Sequence, residues 1–115
     1  MYSIRDVPFE VIQDDIPDNS SQMYLTITFH RGLDSLDEAP IEAIFSEWLE
    51  IATKSEAIVY FGDDIELQGN EVLLYIDNGG QFHELVSPYI RDLLMRLHNY
   101  YPIVRVQIDE DLPGE

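Results

Sequence analysis

The sequence predicts an α+β fold: a ferredoxin-like βαββαβ sandwich, with an antiparallel sheet, two helices on one of its faces and an extra N-terminal edge strand. Three observations predict it. Two segments, Pro40 to Lys54 and Pro88 to Tyr100, repeat apolar residues at helical spacing. Other segments alternate apolar and polar residues, among them Met23 to Arg31 and Ile103 to Ile108. The order of elements makes each half a strand-helix-strand unit, and two such units in series with right-handed crossovers form this sandwich.

The elements follow in chain order. Val7, Phe9 and Val11 suggest a short strand that Pro8 confines to a sheet edge. Asp14 to Ser20 is turn-rich and acidic. In Met23 to Arg31, Leu25, Ile27 and Phe29 share one face and Tyr24, Thr26, Thr28 and His30 the other, and Gly32 ends the strand.

Asp37 reads as the N-cap of the first helix, with Pro40 in its first turn. At 100° per residue, Ile41, Ile44, Phe45, Trp48, Ile51 and Ala52 form an apolar arc opposite Glu42, Ser46, Glu47, Glu50 and Lys54. A hairpin is expected from Ala57 to Asp77, with a bulge or bend near Gly62 and its turn at Gly69-Asn70. Ser87-Pro88 suits the cap and first position of the second helix. Phe82 and Val86 extend its apolar arc backwards, so a start around Phe82 to Glu84 is also open. Pro102 stops it, and Asp109 to Glu115 is an acidic tail.

A chain of 115 residues with 45% hydrophobic side chains fits a single α+β domain over residues 1–115, able to bury roughly two thirds of its unfolded surface. Its 23 acidic residues against six basic ones give a net charge of -17. That balance disfavours direct nucleic-acid binding and anionic membrane surfaces, and favours a basic protein as partner. No cysteine is present, so disulfides, thiolate metal sites and cysteine nucleophiles are excluded. Met1 to Asp6 lacks the character of a secretory signal, and no apolar run reaches membrane-spanning length, so the expected location is cytoplasmic.

Candidate chemistry is sparse. Asp63, Asp64 and Glu66 place three carboxylates within four residues, but without the ligand spacing of a calcium loop, and a solvated bend is the plainer reading. His30, His83 and His98 have no second ligand at helical spacing, which favours structural or surface roles. Asn78-Gly79-Gly80-Gln81 lacks the third glycine and the Lys-Ser/Thr of a phosphate loop. No serine stands in a nucleophile-elbow motif. We therefore expect no cofactor, no metal and no enzymatic activity.

The acid is unevenly placed. Asp34 to Asp77 holds twelve Asp and Glu against Lys54 alone, a charge of 1 minus 12, or -11. The expected function is a non-enzymatic protein-binding module, an inhibitor or immunity-type protein that neutralises a basic toxin or nuclease. Its expected contacts are Glu38, Glu42, Glu47, Glu50, Asp63, Asp64 and Glu66, since a basic partner relieves the self-repulsion and is steered to the surface. Two alternatives differ in kind. One is a small-ligand regulatory domain or small enzyme with a pocket lined by Tyr24, His30 and Tyr75. The other is a homodimer formed through an exposed sheet face.

Overall fold

In a computed structural model, residues 2–13, 16–17, 20–54, 65–80 and 82–110 are described. The elements are β1 (Glu10–Gln13), β2 (Gln22–Phe29), α1 (Ser35–Lys54), β3 (Ile65–Gln68), β4 (Glu71–Asp77), α2 (His83–Tyr100) and β5 (Ile103–Asp109). The fold is α+β, with two helices and one sheet in the order β1-β5-β2-β4-β3. Three of its pairings are antiparallel. The fourth, β1 on β5, is parallel, so the sheet is mixed where a purely antiparallel one was expected. Because β1 enters beside β5 from the same end, the extra strand extends the sheet without a hairpin.

Alternation dictates which side of the sheet is covered. Met23, Leu25, Ile27 and Phe29 of β2 and Val72, Leu74 and Ile76 of β4 are buried, while the residues between them are half-buried. The buried set joins Ile41, Phe45, Trp48 and Ala52 of α1 and Val86, Ile90, Leu93, Leu94 and Leu97 of α2 in one core. Each fully buried aliphatic side chain contributes about 1.5–3 kcal/mol relative to exposure. Trp48 is fully buried and donates its indole N–H to the Tyr89 carbonyl at 2.7 Å, which satisfies its one polar atom and ties α1 to α2.

Both helices begin earlier than their prolines suggest. α1 starts at Ser35, and its cap is Asp34 rather than Asp37, because the Asp34 carboxylate accepts the Leu36 N–H at 2.8 Å. α2 starts at His83 behind Phe82, the earlier of the two starts, and Phe82 provides no side-chain cap. Pro40 and Pro88 are therefore each the sixth residue of their helices. A proline there removes the bond to the carbonyl four residues back. Those carbonyls belong to Leu36 and Glu84, both exposed residues, where a missing donor costs least.

Other boundaries shift less. β1 begins at Glu10, after Pro8 and Phe9, instead of at Val7. β2 ends at Phe29, leaving His30 and Arg31 outside it. Ile51, assigned to the apolar arc of α1, is 41% exposed. The Gly69-Asn70 turn forms as expected, with positive φ at Gly69 only, the type II′ pattern. The expected strand from Ala57 to Phe61, the bend at Gly62 and the tail from Asp111 lie outside the described residues.

The segment before β1 straps α2 along its length. Tyr2 is buried and stacks on His83 with ring centroids 4.0 Å apart. Ser3 N–H donates to Ser87 Oγ at 2.7 Å, and Arg91 donates to the carbonyls of Arg5 and Asp6, each at 2.9 Å. Phe9 meets His98 at 5.6 Å. The contacted positions of α2 follow the turns of one helical stripe.

Candidate functional site

The acidic face of α1 rests on a locked first turn. Asp34 N–H donates to Asp37 Oδ2 at 2.9 Å while Asp34 itself caps Leu36, so the pair forms a reciprocal capping box. Asp37 is 3% exposed and receives three further donors. Arg31 contributes two guanidinium N–H groups, at 2.9 Å and 2.5 Å, and Tyr100 its hydroxyl at 2.5 Å. Arg31 first, then Tyr100 and the Asp34 N–H, hold the Asp37 carboxyl well below the usual carboxylate range. In return the Asp37 carboxylate raises the proton affinity of Arg31 and of the Tyr100 hydroxyl. The Arg31 guanidinium also stacks 4.5 Å from the centre of the Tyr101 ring.

The rest of α1 presents its glutamates to water. Glu38, Glu42, Glu47 and Glu50 are all exposed. They span about 18 Å of helix at 1.5 Å per residue. Glu38 and Glu42 lie about 40° apart around the axis, Glu50 about 120° and Glu47 about 180° from Glu38. Glu47 lies 3.3 Å from Arg96, and Glu50 lies 3.3 Å from Lys54. Exposed pairs of this kind contribute little to stability. Among the described residues, Glu38 and Glu42 have no ion-pair partner.

Among the described residues, Glu66 stands apart from the glutamates of α1. Glu66 is exposed on β3 and stands in register with Leu73, whose neighbours Val72 and Leu74 point into the core. It therefore faces the side of the sheet opposite the helices. Asp63 and Asp64 lie outside the described residues.

That opposite side is a second surface, and no described element covers it. Its central row, read across the strands, is Ile12, Gln107, Thr26, Leu73 and Glu66. One row along, Tyr24 and Tyr75 stand opposite each other with ring centroids 5.0 Å apart, tilted by 46°. Burial, then the charge of Asp77, pushes the Tyr75 hydroxyl up from its ordinary value. His30 does not join the tyrosines in a pocket. It follows Phe29 at the other end of β2, six residues or about 20 Å from Tyr24.

The remaining histidines make packing and hydrogen-bond contacts within the fold. His83 is buried, shares a contact with the Ser20 carbonyl at 3.1 Å through Nε2, and belongs to a network in which Asn78 Nδ2 donates to Tyr2 Oη at 2.8 Å. Burial dominates at Tyr2 and pushes its hydroxyl up to about 12. His98 Nδ1 accepts the Ile103 N–H at 3.0 Å and so fixes the turn from α2 into β5. Among the described residues, no group of three or more His, Asp or Glu is placed to hold a metal ion. A shallow, open depression on α1 is lined by Ser46, Leu49, Glu50, Thr53 and Lys54. Among the described residues, no helix is long and apolar enough to cross a membrane.

Sequence reasoning missed the Arg31-Asp37-Tyr100 and Tyr2-Asn78-His83 networks. Asp37 carried a signal, the Asp-x-x-Asp spacing of a capping box with Asp34, but Tyr2 carried none. Comparison with protein-family models, with curated proteins and with solved structures finds no match.

Proposed function

We propose that this chain is an acidic, non-enzymatic protein-binding module that neutralises a basic toxin or nuclease, as an inhibitor or immunity-type protein does. The observation that carries the reading is the simultaneous exposure of Glu38, Glu42, Glu47 and Glu50 on one helix of a chain with net charge -17. The locked first turn holds that helix in place, so its charges meet a partner with little further ordering. A cationic cleft is drawn in by the long-range field and then held by short carboxylate pairs. The reading has the protein act in the cytoplasm on a partner produced there. It also takes the fold as a ferredoxin-like sandwich with β1 added at one edge, and the order β5-β2-β4-β3 with antiparallel neighbours supports that assignment.

Affinity capture from host lysate tests the proposal, with the variant carrying Glu42→Lys, Glu47→Lys and Glu50→Lys as control. A basic protein should be retained at about 50 mM salt and released at about 500 mM. Once purified, it should bind the wild type and lose its own activity, with affinity for the variant reduced at least about 100-fold. Identical capture by both baits, or a captured protein whose activity survives complex formation, sinks the reading.

A further inference from the structure

The sheet face that no described element covers carries its own pattern of charge and aromatic surface, opposite the helices. At its middle lie Thr26, Leu73 and the Tyr24-Tyr75 pair, all half-buried. Around them stand Glu10, Glu66, Glu71 and Asp77, with Asp109 buried in register with Tyr24 and Arg105 as the one base among the described residues of this face. An aromatic centre within a charged rim has the anatomy of a protein-binding surface. The charge balance among the described residues, five acids to one base, selects the occupant. A second copy would bring the same acids against this face, and a phosphate backbone would be repelled, whereas a cationic segment is attracted.

We propose that this face is a docking surface for an extended, arginine-bearing segment of another protein. A guanidinium stacks on the tilted tyrosine pair, because its planar, weakly hydrated charge suits an aromatic face better than an ammonium does. Asp77, two residues from Tyr75 on β4, then meets the next cation of the segment. An extended segment repeats its side chains every two residues, about 6.6 Å, which matches the spacing of the outward residues of β4. This surface stands independently of the α1 face, so either can fail without the other.

The test is titration of the full chain, isotopically labelled, with the peptide Arg-Thr-Arg-Thr-Arg, followed by NMR amide shifts. Glu-Thr-Glu-Thr-Glu and penta-lysine serve as comparison probes. Saturable shifts should centre on Tyr24, Thr26, Leu73 and Tyr75, with penta-lysine weaker by at least about 3-fold. Replacing both tyrosines, Tyr24→Ser with Tyr75→Ser, should weaken binding at least about 10-fold, and Phe at both positions should restore it. Should the serine variant fail to fold, Glu71→Gln with Asp77→Asn provides the same reading through the carboxylates. The Glu42→Lys, Glu47→Lys, Glu50→Lys variant should bind within about 2-fold of wild type. Shifts confined to α1, equal binding of the glutamate peptide, no saturation, or self-association that occupies the face without peptide would each overturn the proposal.

Discussion

The Asp37 carboxylate and the Tyr100 hydroxyl, 63 residues apart in the chain, meet at 2.5 Å and join the first turn of α1 to the last residue of α2. Arg31 completes the junction from the loop that follows β2. One carboxylate thereby fixes the relative position of three segments, and the acidic helix inherits its orientation from them.

Removing that charge should cost stability in a pH-dependent way. The folded state holds the Asp37 carboxyl below the ordinary carboxylate value of about 3.9, so its contribution is complete above that value and declines as pH falls further. Asp37→Asn should lower the thermal midpoint at neutral pH by about 5–10 °C. The gap to wild type should narrow below about pH 4, because the Asp37 contribution itself fades there while relief of the chain's self-repulsion acts on both proteins alike. Circular-dichroism melts from pH 2 to 7 measure this, and a gap independent of pH would contradict it.

Tyr2 gives the opposite sign at the alkaline end. An unfolded tyrosine releases its proton near about pH 10, while the folded state keeps that of Tyr2 until about 12. The stabilisation is whole below the lower value and is lost as pH rises through the upper one. Denaturant titrations should therefore show Tyr2→Phe losing less stability than wild type across that interval. Ultraviolet difference titration should remove one late-ionising tyrosine of the seven.

Two isoleucines of α1 should separate cleanly. Ile41 is fully buried and Ile51 is 41% exposed, although both fit the same apolar arc. Ile41→Ala should cost about 2–4 kcal/mol and Ile51→Ala less than about 1, read from urea midpoints. Equal costs would mean that the outer rim of the helix is packed as tightly as its centre.

The contrast between those residues shows what the sequence made legible. β2 was readable because its alternation admits one register, and β4 because the Gly69-Asn70 turn folds it back on β3. The helix bodies were readable from their apolar arcs, but not their starts, since a proline near a helix beginning fits the first position best and Pro40 and Pro88 both stand at the sixth. Exposed Glu42, Glu47 and Glu50 followed from the same arcs. Glu66 departed from them because the side of a sheet on which a residue falls is set by strand register, which no charge count contains. The burial of Tyr2 was invisible for a related reason: its partners Asn78 and His83 are distant in sequence, and no local period announces them.

The parallel seat of β1 governs when the molecule can be completed. Glu10 pairs with Arg105, 105 minus 10 or 95 residues later, and β5 lies between β1 and β2 in the sheet. During synthesis the first strand therefore waits for the last, and β2 is left with an unpartnered edge until that strand emerges. Contacts closed over such distances are slow to form. A chain from which β5 has not yet emerged should hold the β2-β4 pairing and leave β1 unpaired, and the exposed edge in that interval is where misassembly would begin.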